Sequence, residues 1–292
     1  MDKNNIVYPY IPNTVPEVKA DLMKQVNAAS EREIFEVVPD RLLYNDFKLP
    51  EPMLDEYSIK RHAQEILSKN ANLSTHLLFL GAGCAPHYVP AVVDEILSRG
   101  EFYTCYTSTM GDQGRGQMQF EYQSQMAELL DMDVITFSQY DGGSSAGHSF
   151  RIARRLTGRK KVIIPKSMSP FIYNIASAYV DRVDGPYIEF IPVNYDEKTG
   201  LMDLADLKAK LNEENAAVFI ENPTFLGIVE TQAKEIGEMA KAAGAEFIVY
   251  ADPISLGVME APGSYGATIV CGDIHSIGLH MFAGAGVGGY VM

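Results

Sequence analysis

Residues 203–252 read DLADLKAKLNEENAAVFIENPTFLGIVETQAKEIGEMAKAAGAEFIVYAD, and their rhythm decides the fold. DLADLKAKLNE is patterned as a helix and leads into the strand AAVFIE; KEIGEMAKAAG repeats the helix and leads into the strand EFIVYAD. These strands are continuous apolar runs rather than alternating ones, as expected where helices cover both faces of a sheet. The same rhythm holds upstream, where AGHSFRIARRLTG precedes KKVIIP and PFIYNIASAYVD precedes YIEFIPV. Repeated helix–strand alternation implies right-handed crossovers. The expected fold class is α/β, a mainly parallel sheet with helices on both faces.

Further toward the N-terminus, DVITFSQYDGG reads as a strand and turn and FEYQSQMAELLDM as a helix. GEFYTCYTSTMGDQGRGQMQFEYQ reads as a long polar loop with Arg115 as its only cation, and such loops are often functional. LLFLGAGCAPHYVPAVVDEILSRG gives an apolar run, a glycine turn and a helix, with His87 and Tyr88 read first as packing and capping residues and second as site residues. DEYSIKRHAQEILSKN is an amphipathic helix. Residues 1–52 read as an arm with short helices, in which Thr14 offers a cap ahead of Pro16. Residues 53–292 then form one large α/β domain.

Bulk properties narrow the function classes. Hydrophobic residues make up 47% and charged residues 21%, the profile of a globular chain. A net charge of −14 argues against nucleic acid or an anionic membrane as partner of the bulk surface, while allowing a local basic pocket. No segment is apolar enough to span a membrane, and MDKNNIVYPYIPNT has no signal core. Cys84, Cys105 and Cys271 are widely spaced and lack metal-site spacing, so reduced thiols in a cytoplasmic protein and no metal are expected.

Ligands of open α/β sheets collect at the carboxyl ends of the strands, and four loops fall there. In YDGGSSAGHS, the amides and hydroxyls of Ser144 and Ser145 at a helix start suit a phosphate; a plain capped helix is the other reading. In IENPTFLG, Asn222 either bonds a ligand oxygen or closes an Asx turn before proline. Asp252 in YADPISLG is costly to bury alone; it either faces a protonated ring nitrogen of a cofactor or caps the next turn. His275 in GDIHSIGLH is either a site residue or a satisfied core histidine, as is His280.

Four segments carry a family likeness: FLGAGCAPHYVPAVVDEILSRGEFYTCYT, FEYQSQMAELLDMDV, ENPTFLGIVE and YADPISLGVMEAPGSYGA, with YIPNT at the start. In collinear order from about Tyr8 to Tyr290, they resemble the N-terminal (alpha) subunit of glycine dehydrogenase (decarboxylating), the P-protein of the glycine cleavage system. The resemblance implies the pyridoxal-phosphate-dependent transferase fold (fold type I) and a beta subunit that supplies the cofactor lysine. It implies a heterotetramer acting on glycine, which loses CO2 and passes an aminomethyl group to the lipoyl arm of the H-protein. It makes Tyr106 and Thr107 candidates near the active site and Asp252 the partner of the pyridine nitrogen. It also implies a C-terminal small domain beyond Met292. No lysine follows Lys241, and GDIHSIG stands in the region where the beta subunit has its own.

The site loops depart from the family. MGDQGRGQMQ replaces a Pro-rich stretch, DGGSSAG replaces Asp-Gly-Ala-Thr-Ala, and DIHSIGL replaces Gly-Gln-Pro-Leu-Gly. MFAGAGVGG replaces Ser-Phe-Gly-Gly-Pro, and Ser169 stands where histidine is common. Two alternatives stay open beside the alpha subunit: a diverged paralogue with another amino-acid substrate, and a non-catalytic structural subunit.

Overall fold

Continuous apolar strands need cover on both sides, and the core of this chain is built around that need. A computed structural model describes the chain except residues 1–6, 9, 45–47, 51, 52, 54, 80–85, 103–111, 137, 138, 182–186 and 283–286. Tyr106, Thr107, Cys84 and Cys105 lie outside the described residues. The chain divides into two compact units, Met1–Ala71 and Asn72–Met292.

The first unit holds helices α1 (Pro16–Gln25), α2 (Glu31–Ile34) and α3 (Glu56–Leu67), none with a buried residue. Asp55 caps α3 by accepting from the Ser58 amide. Thr14 does not cap α1, whose N-cap is Val15. Its hydroxyl instead accepts from the Tyr8 amide and donates to the Ile11 carbonyl, tying the preceding turn.

The second unit runs α4 (Ala91–Leu97), α5 (Gln113–Leu130), α6 (Gly142–Thr157), β1 (Lys161–Pro165), α7 (Pro170–Val180) and β2 (Glu189–Val193). It continues with α8 (Leu204–Lys210), β3 (Asn215–Glu221), α9 (Ala233–Ala242), β4 (Glu246–Tyr250), β5 (Ile269–Asp273) and β6 (Gly289–Val291). The sheet order is β2-β1-β3-β4-β5-β6, parallel except for β6. Gln139 pairs antiparallel with Gly289, joining the segment before α6 to the far edge.

Alternate strand residues feed opposite layers. Val162, Ile164, Ala217, Phe219 and Ile248 pack with Phe150 and Ala153 of α6 and Ala176 and Val180 of α7. Ile163, Val218, Ile220, Phe247 and Val249 pack with Leu207 of α8 and Ile236 and Ala240 of α9. Val270 meets Met126 and Leu130 of α5. Helices therefore cover both faces, and each large apolar side chain withdrawn from water contributes about 1.5–3 kcal/mol.

Further expectations change. DVITFSQY, read as a strand, forms none among its described residues, only the single bridge of Gln139 to Gly289. The polar stretch read as a loop through residue 123 becomes helix from Gln113. Gly114 and Gly116 each cost only about 1 kcal/mol in a helix, which the anchoring of Met126 and Leu130 offsets. YIEFIPV is not buried throughout: β2 is an edge strand with Glu189 and Pro192 exposed, the place where a strand proline is tolerated. His87 and Tyr88 do not cap α4, whose N-cap is Pro90; His87 reaches the Leu279 carbonyl and Tyr88 is exposed.

Candidate functional site

Parallel strands leave their carboxyl ends open, and here β4 and β5 deliver acids to that edge. Tyr250 ends β4 and Asp252 follows it; Asp273 ends β5 and a 3-10 turn, His275–Ile277, follows. The Tyr250 hydroxyl donates to Asp273 Oδ2 at 2.7 Å, and the His275 amide donates to Oδ1 at 3.2 Å. Asp252 Oδ1 accepts from the Ser276 hydroxyl at 2.5 Å and from the Ile254 amide at 3.1 Å. The rings of His275 and His87 meet edge to face at 4.3 Å.

The start of α6 closes this cluster. Asp141 and Ser144 form a reciprocal capping box: Asp141 Oδ1 accepts from the Ser144 amide at 2.6 Å and Ser144 Oγ accepts from the Asp141 amide at 3.1 Å. The helix comes so close to β4 that a β-carbon on Gly142 would run into Tyr250 Oη. Replacing Asp141 by alanine removes the cap and is expected to cost about 1–2 kcal/mol. Denaturant titration checks this, and an unchanged midpoint would show that the box contributes nothing.

Burial sets the electrostatics. It raises the Asp273 carboxyl, opposed by the bonds from Tyr250 and His275 and reinforced by Asp252 and Asp141 nearby. It holds the His275 imidazole below its ordinary range, and the neighbouring His87 pushes the same way. It drives the Tyr250 phenol well above its ordinary value, with Asp273 reinforcing. The carboxyl edge thus gathers the carboxyl groups of Asp252 and Asp273 beside the His275 imidazole. Among the described residues no group of His, Cys, Asp and Glu could hold a metal ion.

Of the residues singled out in the sequence, Asp252 and His275 come together at the carboxyl edge, with Ser144 and Ser145 at the adjacent helix start. The hydroxyls of both serines donate to the Asp141 carbonyl, at 2.9 and 2.8 Å, and both side chains are buried. Asp252 caps the turn after it through the Ile254 amide. Asn222, buried at the end of β3, spans the following loop instead of closing an Asx turn: its Oδ1 accepts from the Glu230 amide at 3.0 Å. His280 stands apart, paired with Asp94 at 2.7 Å.

Three participants went unnoticed in the sequence. Asp273 ends β5, whose short ATIVCGD run sits between glycine-rich turns; Asp141 is the N-cap of α6; Glu221 ends β3 as the last letter of an apolar strand. A strand-end acid was the available signal for Asp273 and Glu221, as it was for Asp252.

The model of the glycine cleavage system P-protein family matches residues 9–291. Probable glycine dehydrogenase (decarboxylating) subunit 1 of Staphylothermus marinus is 38% identical over 93% of this chain and 59% of its own length. That of Pyrococcus horikoshii is 38% identical over 92% of this chain and 59% of its own. The chain thus spans about three-fifths of the length of these relatives. An inhibitor-bound crystal structure of glycine decarboxylase (P-protein) of the glycine cleavage system superposes with TM-score 0.79 at 33% identity, over 98% of this chain and 62% of that one. A Burkholderia pseudomallei sphingosine-1-phosphate lyase, 12% identical with TM-score 0.58 over 86% of this chain and 61% of that one, shares the fold.

Proposed function

Because the chain belongs to the glycine cleavage system P-protein family, we propose that it acts as an alpha-type subunit of glycine dehydrogenase (decarboxylating). On this reading a beta subunit holds pyridoxal phosphate, and the assembled cytoplasmic heterotetramer releases CO2 from glycine and passes the aminomethyl group to the lipoyl H-protein. Pyridoxal phosphate supplies the electron sink that loss of CO2 requires.

One observation carries the division of labour between subunits. The hydroxyl of Ser276 occupies Asp252 Oδ1, in the segment where the family resemblance puts the beta subunit's lysine. No lysine lies between Lys241 and Met292, and the hydroxyls of Ser144 and Ser145 are committed to the Asp141 carbonyl. On this reading the chain holds no pyridoxal phosphate of its own, and no step of the reaction is assigned to a cofactor on it. Its contribution is a sheet edge whose acids are held in place by Tyr250, Ser276 and backbone amides. Tyr106 and Thr107 are proposed as residues that reach toward the partner's site. The altered loops DGGSSAG and DIHSIGL favour, as a second reading, a diverged pyridoxal-phosphate-fold paralogue with another amino-acid substrate.

An absorbance spectrum distinguishes the readings. The chain is mixed with pyridoxal phosphate alone, then with a beta subunit added. A visible Schiff-base band in the mixture only, with exchange of labelled CO2 into glycine, is the expected result. A band from the chain alone would overturn the division of labour, and a cofactor-loaded mixture inert toward glycine would favour the paralogue.

A further inference from the structure

Residues 142–180 hold seven of the chain's 24 Lys and Arg and not one Asp or Glu, so the other 17 cations share the rest of the chain with all 38 acids. In a protein of net charge −14 this is a local reversal of sign, and the fold concentrates part of it. On α6, His148, Arg151 and Arg155 fall at i, i+3 and i+7, one face of the helix, while Phe150 and Ala153 face the core. Arg155 is exposed, and His148 and Arg151 are half-buried.

The other cations of the stretch divide into committed and surface groups. Arg154 donates to the Tyr187 carbonyl and lies 3.8 Å from that ring's centroid. Arg159 donates to the carbonyls of Asn215, Ala243 and Gly244, and Lys161 pairs with Glu214. Lys160 and Lys166 are exposed. Arg151 lies 5.8 Å from the Tyr187 ring centroid. Among the described residues, neither Arg151 nor Arg155 has a carboxylate at ion-pair distance. Two such cations four residues apart on a helix repel each other. Burial, then Arg151 and Arg155, hold the His148 imidazole below its ordinary range. His148 meets Tyr179 edge to face at 5.0 Å, and Leu156, next to Arg155, is 65% exposed.

We propose that this face of α6 is a docking surface for a partner protein that presents clustered carboxylates. Charge complementarity supplies the attraction, and Leu156 and Tyr179 supply the apolar and aromatic contact typical of a protein interface. The three groups span only about 10 Å of helix. A nucleic acid or anionic membrane would extend beyond them onto a surface of opposite preference, because the rest of the chain is strongly acidic. A compact acidic face, such as a helix with carboxylates at the same spacing, matches the patch without that penalty.

The test uses the full chain and four probes: a helical peptide with glutamate at i, i+3 and i+7, its glutamine counterpart, single-stranded DNA, and phosphatidylserine vesicles. The glutamate peptide is expected to bind by fluorescence anisotropy, to weaken with added salt, and to lose at least about tenfold affinity for the R151E/R155E variant. R151K/R155K should retain most of the binding, and circular dichroism should show both variants folded. Arg154 is left in place because it anchors Tyr187. Equal binding to wild type and R151E/R155E, no preference over the glutamine peptide, or stronger binding of DNA or vesicles would overturn the proposal. None of these outcomes bears on the cofactor spectrum.

Discussion

Replacing Phe150 by alanine is expected to lower the stability of the chain by about 3–5 kcal/mol. Phe150 has no exposure to solvent, and its ring meets Phe190 at 5.3 Å and Phe219 at 5.2 Å, both edge to face. It therefore joins α6 to an edge strand and a central strand at once. Removal costs the transfer of the ring and leaves a cavity between elements that are themselves rigid, so little collapse can repair it. Domains commonly have only about 5–15 kcal/mol to lose, so the variant should unfold at markedly lower denaturant. The consequence for the candidate site follows from connectivity, since the Asp141 cap and Gly142 sit at the N-terminus of the same helix. Guanidinium titration of wild type and F150A measures the effect directly. A loss below about 1 kcal/mol would mean that α6 is not anchored through this ring.

Phe150 also shows what the sequence made legible. The helix–strand alternation from residue 142 to 250 appears in the structure almost element for element, because β1, β3 and β4 are buried on both faces and so read as unbroken apolar runs. Where burial is one-sided or short, the reading faded. Edge strand β2 is interrupted by Glu189 and Pro192, and β5 offers too few apolar residues between glycines to stand out. The start of α5 was hidden by Gly114 and Gly116, since propensity cannot register packing that occurs three turns later. At the candidate site, position at a strand end marked Asp252 and position at a helix start marked the serines, yet neither could say which atoms these side chains face. Ser144 and Ser145 face the Asp141 carbonyl, and Asp252 faces Ser276, pairings made by the chain's own fold across 3 to 24 residues. Asp273 escaped notice for the same reason, since its partner Tyr250 comes from a neighbouring strand, whereas Asp141 bonds within its own turn as the cap of α6.

Glu221 provides the largest expected pH effect. It ends β3 beside Asn222, is buried, and has no cation at ion-pair distance among the described residues. Its carboxylate accepts from the Ser169 amide at 3.0 and 3.2 Å and from the Phe225 amide at 3.2 Å. One side chain thus holds the entry to α7 and the loop after β3, both on the sheet edge that carries Asp252. Burial raises its pKa to about 7, with the Ser169 and Phe225 amides opposing. An unfolded glutamate titrates near 4.3. Between those values the folded state keeps a proton that the unfolded chain has released, so stability falls as pH rises through this window and levels off above it. From pH 5 to pH 8 the loss attributable to Glu221 is about 2–3 kcal/mol. Glu221→Gln stays neutral throughout and keeps one acceptor for the two loops, so the difference between variant and wild type should shift toward the variant by that amount. Parallel denaturant titrations at the two pH values isolate this term, because every other titrating group is common to both proteins. Identical pH slopes would mean that Glu221 is already ionised in the folded state at pH 5, with the backbone amides outweighing its burial.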